Sequence, residues 1–157
     1  MRVVRLMALL ALAAFGAVAQ HARQSVTFVV SARSTVHDLS AAELRRIFLG
    51  QTSRWSNRHR IVVCLRPTDS PEGRIMLDRV VRMSDIDYSQ NWIGAVFRGA
   101  AATAPAVFPS REALLETVAN NPDAIGFVLN AAPLPAAVRA ITVDRKSTDD
   151  PAYPIAR

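Results

Sequence analysis

The sequence predicts an α/β fold in which a mostly parallel sheet of about five strands is covered by helices on both faces. Three observations carry this prediction. Short apolar runs alternate with helix-patterned segments along most of the chain. The runs at 61–65 and 124–129 are continuous, as in strands that are buried on both faces. Serine N-cap signals precede several of the helical segments.

The N-terminus has the pattern of a secretory signal peptide. Arg2 and Arg5 precede an apolar run at 6–15, and the small residues Ala17-Val18-Ala19 precede a polar stretch. This order predicts cleavage after Ala19, hence a signal peptide at 1–19. The apolar run is shorter than the roughly 20 residues that a membrane-spanning helix needs. We therefore expect an exported protein, periplasmic or secreted, that does not span the membrane after cleavage.

Composition narrows the classes of function. The 157 residues carry a formal charge of +6, and without the arginines of the signal 17 basic and 13 acidic residues leave +4. A basic balance suits an anionic ligand or surface. The basic residues are scattered and no nucleic-acid motif occurs, so we expect no nucleic-acid partner. The single cysteine, Cys64, lies inside an apolar run and is predicted to be a buried core residue.

The exported domain is assigned to 20–143. Its first predicted element is a strand at 25–30 that is rich in β-branched residues. Ser40 and Glu43 form a capping box for a short helix that ends at Gly50. Trp55 lies in the polar loop that follows. It is predicted to pack on the preceding helix, with a sugar or base platform as the alternative.

The stretch at 66–74 reads as strand, turn and helix N-terminus. Ser70 is a good N-cap, Pro71 suits the first helical position, and Glu72 complements the positive end of the helix dipole. Free amides at this end, with Arg66 and Arg74 beside them, would form an anion cradle. The alternative is a well-capped helix flanked by two solvated arginines.

The remaining elements follow from the same signals. Gly126 lies inside a predicted strand and indicates close approach by another backbone or by a ligand. The polar segment at 144–157 is predicted to be a loosely held C-terminal tail. The predicted elements after the turn are helices at 71–83 and 86–97, a strand at 106–108, a helix that begins after Ser110, and strands at 124–129 and 138–143.

Three motifs together carry a family resemblance. They are the helix LSAAELRRIFLGQ at 39–51, the following Trp55, and the strand NPDAIGFV at 121–128. In order and spacing the chain resembles the periplasmic phosphate-binding proteins of ABC transporters, over about 26–143. The resemblance implies one lobe of a two-lobed, type 2 periplasmic binding protein, without the first-lobe residues that close over phosphate in that family.

The resemblance also implies a set of ligand contacts. In the family, an Arg, an Asp and a Ser-Gly-Thr run bind phosphate between a strand and a helix N-terminus. Arg66 and Asp69 match the first two, but Pro71 and Glu72 stand where the family presents donors. Ser70 and Arg74 would supply a hydroxyl and a guanidinium instead. The predicted anion-binding residues are Arg66, Asp69, Ser70, Gly73 and Arg74.

Two functions remain open at this stage. The first is an exported solute-binding protein for phosphate or a related small oxyanion, with an ABC transporter permease as its membrane-bound partner. The second is an interaction or sensory module that contacts a membrane-bound partner and has lost anion binding. Catalysis is disfavoured because His21, His37 and His59 lie in predicted loops without metal-site spacing, and no catalytic motif occurs. We predict no metal and no cofactor.

Overall fold

The computed structural model describes residues 24–156, and the predicted signal peptide at 1–19 lies outside them. The elements, in chain order, are β1 (Val26–Ser31), β2 (Asp38–Leu39), α1 (Ala41–Phe48), β3 (Val62–Leu65), α2 (Pro71–Ile75), a π-helical segment (Met76–Val81), α3 (Asp85–Phe97), β4 (Ala106–Val107), α4 (Arg111–Asn120), β5 (Ala124–Leu129), β6 (Val138–Ala140) and β7 (Thr142–Val143).

The main sheet has five strands in the order β4-β3-β5-β1-β6. β3 is parallel to both β4 and β5, whereas β1 is antiparallel to β5 and to β6. Four strands therefore run in one direction and β1 runs against them, which confirms the mostly parallel sheet. β2 and β7 form a separate parallel pair.

Helices cover both faces of the sheet, as predicted. Along β1, Phe28 and Val30 belong to the core shared with α1, α2 and α3, while Val29 points to the core under α4. This alternation follows from the two-residue period of a strand. On the first face Phe28, Phe48 and Phe127 form a cluster with ring centroids 5.6 to 6.3 Å apart.

α4 packs close to the sheet at Gly126. A Cβ atom at this position would lie 2.8 Å from a methyl carbon of Leu114. The group that needs the space is therefore a core side chain, and not the backbone or ligand expected from the sequence. Cys64 lies in the same core, fully buried as predicted, and burial raises the pKa of its thiol to about 11.

The C-terminal part departs from expectation in two ways. The predicted strand at 138–143 is divided at Ile141, which is buried between β6 and β7. The expected loosely held tail is wrong for the segment that follows, because Tyr153 and Ile155 are 4% and 2% exposed. The Tyr153 hydroxyl also donates to the carbonyl of Val26 at 2.9 Å. The tail is thus part of the core beside β1.

The predicted helix at 71–83 is α-helical only in its first part. The π-helical segment follows, and the chain leaves it at Arg82, whose φ of 53° lies in the left-handed region. The amide of Met83 donates to the carbonyl of Leu77, and the Arg45 guanidinium caps the carbonyl of Val81 at 3.1 and 3.2 Å. None of the helices within 24–156 combines the length and hydropathy of a membrane span.

Candidate functional site

The turn between β3 and α2 contains the residues that the sequence singled out. Ser70 has extended backbone angles, and its hydroxyl accepts from the Gly73 amide at 3.1 Å. The same hydroxyl donates to the carbonyl of Pro67 at 2.6 Å. The Arg74 amide donates to the Ser70 carbonyl at 3.0 Å, and Pro71 has no N–H. Most of the donors of this helix start are therefore engaged within the turn.

Arg66, at the end of β3, forms a buried ion pair. Its Nε lies 2.5 Å from Oε1 of Glu72, and the two side chains are only 12% and 7% exposed. Its Nη1 donates to the carbonyl of Phe108 at 2.6 Å. Phe108 follows β4, so the guanidinium ties together the ends of two neighbouring strands and the first turn of α2.

The other three predicted residues have different surroundings. Gly73 is buried, and a Cβ there would overlap the carbonyl oxygen of Pro67, so glycine is a steric requirement of the turn. Arg74 is exposed and donates to the backbone carbonyl of Asp69 at 2.8 Å. The Asp69 carboxylate is exposed and forms no ion pair with any residue in 24–156.

The structure thus brings all five predicted residues into one turn, but their strongest donors already have partners inside the protein. Glu72 is the residue whose role the sequence reasoning missed. It was interpreted as a helix-dipole partner and as a departure from the family pattern. The signal that pointed further was its position, six residues after Arg66, where a carboxylate can reach back to the guanidinium.

An apolar groove of about 460 Å³ opens beside this turn, between α3 and the edge of the sheet. Leu65, Tyr88 and Trp92 are among the buried residues that line it, and Ile93 and Val107 are exposed at its borders. We call it the α3–β4 groove. It is a second candidate binding surface, and the sequence analysis did not identify it.

Tyr88 and Trp92 are buried at the bottom of the groove. The Tyr88 hydroxyl donates to the carbonyl of Phe48 at 2.9 Å. Burial raises its pKa to about 12, against an opposite and weaker effect of the Trp92 indole N–H. That indole nitrogen is itself buried and finds no acceptor at hydrogen-bonding geometry within 24–156. The part of the lining formed by Leu65, Tyr88 and Trp92 is therefore buried and mainly apolar.

Trp55, His37 and His59 are each held by contacts within the protein, and His21 lies outside the described residues. Trp55 packs against the main core and its indole N–H donates to the carbonyl of Asp123 at 3.0 Å, which supports the anchor interpretation. His59 lies 3.2 Å from the Asp123 carboxylate at the surface, and His37 contacts Arg139. Within 24–156 no group of three acidic, histidine or cysteine side chains is placed to hold a metal ion.

The α/β fold, with its sheet covered by helices on both faces, is similar to part of several solved structures. It is similar to an ABC-type phosphate transport receptor from Vibrio cholerae (TM-score 0.67, 19% identity, 86% of this chain and 54% of that one). It is also similar to PstS from Borrelia burgdorferi (TM-score 0.67, 13% identity, 86% and 55%). A third similar structure is a candidate phosphate ABC transporter substrate-binding protein from Clostridium perfringens, with phosphate bound (TM-score 0.61, 17% identity, 78% and 46%).

The chain spans about half the length of these structures. Identities this low show a common fold and leave the ligand to be argued from the residues of this chain. No protein-family model and no curated protein matches the sequence.

Proposed function

We propose that this chain is an exported lobe of the phosphate-receptor type that acts by binding another protein of the cell envelope, and that its own Glu72 fills its anion cradle. The ion pair between Glu72 and Arg66 carries this proposal. The arginine that would contact an oxyanion is already paired with a carboxylate at 2.5 Å, and both side chains are largely buried.

An external dianion would compete poorly with this internal carboxylate. A group in the same chain has an effective concentration of about millimolar or more. An external anion of equal affinity must therefore be present above that concentration to displace it. Phosphate also needs a site made of donors, and a buried carboxylate beside it adds repulsion. The cradle is consequently expected to be closed to phosphate at ordinary concentrations.

Export and the class of partner rest on other observations. The signal pattern at 1–19 supports transfer across the membrane. The similar solved structures include an ABC-type phosphate transport receptor and a phosphate ABC transporter substrate-binding protein. We therefore propose a membrane-bound partner, such as a transporter permease or a sensor, and no enzymatic activity.

A second candidate function is binding of phosphate or a related small oxyanion. It is favoured by the convergence of Arg66, Asp69, Ser70, Gly73 and Arg74 in one turn. It requires Glu72 to leave Arg66, so that the guanidinium and the Ser70 hydroxyl turn towards a ligand. Arg74 is exposed and would then supply a second guanidinium.

Thermal unfolding separates the two functions. Wild-type protein is heated with about 10 mM phosphate, sulfate, arsenate or methylphosphonate, against chloride at the same ionic strength, with Arg74→Ala as the control. A ligand present at 100 times its Kd would add about 2.7 kcal/mol and raise Tm by several degrees. We expect no such rise. A rise that Arg74→Ala abolishes would establish the oxyanion function instead.

The protein-binding half of the proposal has its own test. Cells that export the protein are treated with a short cross-linker, and adducts of the purified chain are identified by mass spectrometry. We expect one dominant adduct with an envelope protein. Only a ladder of unrelated proteins, or none, would contradict it.

A further inference from the structure

We propose that the α3–β4 groove binds an extended peptide segment of the partner protein, one that carries an apolar anchor residue next to a basic residue. This inference rests on the proposed protein-binding function and assigns it a surface and a partner chemistry. Three independent features of the groove carry it: a free strand edge, exposed apolar side chains, and an unpaired acidic end.

The free edge belongs to β4, the terminal strand of the five-stranded sheet. Both Ala106 and Val107 are exposed. The Phe108 amide donates to the carbonyl of Leu65 on β3. Because backbone groups alternate sides along a strand, the N–H and C=O of Val107 point away from β3. Such an edge accepts an added strand through main-chain hydrogen bonds.

Ile93 on α3 and Val107 on β4 are exposed apolar residues that line the groove. Within 24–156 five large apolar residues are exposed, and four of them are Val107 on β4 and Ile86, Ile93 and Phe97 on α3. Their spacing along α3, seven and then four residues, places the last three on one face of the helix. Ile93 and Val107, 58% and 57% exposed, border the groove above its buried lining. An apolar residue of an added strand would bury against them.

The charges of the groove point to a basic neighbour for that residue. Asp69 and Asp85 line one end, and neither forms an ion pair within the described part of the chain. Arg66, the basic residue of the lining, is committed to Glu72. Arg74 contacts the backbone of Asp69 and leaves its carboxylate available. A lysine or arginine in the partner would complement this end, mainly to the benefit of specificity.

A second copy of this chain fits the surface less well. In a two-fold contact the same surface lies on both sides. Each acidic end would then meet a surface whose lining arginine is already paired. A peptide from another protein meets no such restriction.

A displayed library of random linear peptides, about 12 residues long, tests the proposal on the wild-type protein. Enriched peptides are synthesised and their affinity is measured by fluorescence polarisation. We expect sequences with a large apolar residue within two positions of Lys or Arg. Affinity should fall at least tenfold in Ile93→Asp and in Val107→Pro, which removes the free strand N–H. It should stay unchanged in Ala42→Asp, which adds the same charge on another helix.

A charge variant and an assembly measurement complete the test. Asp85→Asn should weaken binding about threefold and reduce its dependence on salt, with Glu116→Gln as the control on the opposite face. Equal affinity for wild type and Ile93→Asp, enrichment of acidic peptides, or no enrichment would overturn the proposal. So would a dimer in sedimentation equilibrium that Ile93→Asp dissociates. Stabilisation by phosphate would contradict the proposed function. The peptide affinities of wild type and Ile93→Asp would still decide whether the groove binds peptides.

Discussion

The carboxylate of Glu72 lies 2.5 Å from the guanidinium of Arg66, and a second nitrogen of the same guanidinium donates to the carbonyl of Phe108. The two charged groups come from a strand end and from the first turn of the following helix. Because both side chains are nearly shielded from water, removing either one would leave the other as an uncompensated buried charge. The pair therefore has a structural role and also controls what else can bind here.

The first prediction concerns the loss of this carboxylate. Glu72→Gln leaves the buried guanidinium of Arg66 without its counter-ion, and removal of one partner of a buried pair costs about 3 kcal/mol. Urea denaturation measures the change. Glu116→Gln removes the same charge from an exposed position of α4 and should change the free energy of unfolding by less than about 0.5 kcal/mol. Equal effects in the two variants would count against a stabilising pair.

The second prediction compares two helical glycines. Gly73→Ala would push its new Cβ into the Pro67 carbonyl oxygen, which belongs to the backbone and cannot move aside cheaply. We expect a loss of more than about 2 kcal/mol. At Gly94 the nearest atom to a new Cβ is the end of the Arg98 side chain, which can turn away. Gly94→Ala should therefore be stabilising by up to about 1 kcal/mol. Thermal unfolding of both variants tests the contrast.

The third prediction concerns the C-terminal segment. Ile155 is 2% exposed in the main core, and Ile155→Ala should cost about 2 to 4 kcal/mol. Pro154→Ala, at an exposed neighbouring position, should have little effect. The two variants are compared by urea denaturation. A loosely held tail would make both substitutions equally harmless, so that outcome would contradict the packing described for this segment.

The fourth prediction concerns alkaline pH. Burial raises the pKa of the Cys64 thiol from its ordinary 9.0 to about 11. A raised pKa means that the folded state binds the proton more tightly, so the stabilisation is complete below pH 9 and is lost as the pH rises from 9 to 11. The loss is on the order of 3 kcal/mol. Cys64→Ala should lower stability at neutral pH and flatten the decline between pH 9 and 11. Parallel pH profiles for the two proteins would contradict this account.

The inner strands β1, β3 and β5 of the central sheet could be predicted because they have four to six residues and show a pattern. The runs at 61–65 and 124–129 are apolar throughout, which is the signature of burial on both faces. The capping box of Ser40 and Glu43 located the start of α1 in the same way, and both side-chain and backbone bonds of the box are present. Local chemistry was sufficient for these elements.

Elements that depend on distant contacts could not be predicted. β2 has only two residues, Asp38–Leu39, and exists because β7 lies beside it. The burial of Tyr153 depends on the start of β1, more than 120 residues away in sequence. The sequence near the C-terminus is mostly polar, and no local pattern predicts such a contact.

The candidate site shows the same division. The turn, its N-cap at Ser70 and the flanking Arg66 followed from local rules, and the family resemblance added Asp69. The pairing of Arg66 with Glu72 and with Phe108 needed the three-dimensional arrangement of β3, β4 and α2. The α3–β4 groove was missed for a similar reason, since its lining combines the end of β3 with α3 and β4, which only the folded arrangement brings together.

The most direct test of the filled cradle is calorimetric titration of inorganic phosphate into wild type and into Glu72→Ala at one ionic strength. Without the carboxylate, the Arg66 guanidinium and the space beside it become available to an external anion. We predict no binding heat for wild type. We predict measurable binding by Glu72→Ala, with phosphate also restoring part of its lost thermal stability. Phosphate binding by the wild-type protein, or no phosphate binding by Glu72→Ala, would contradict the account.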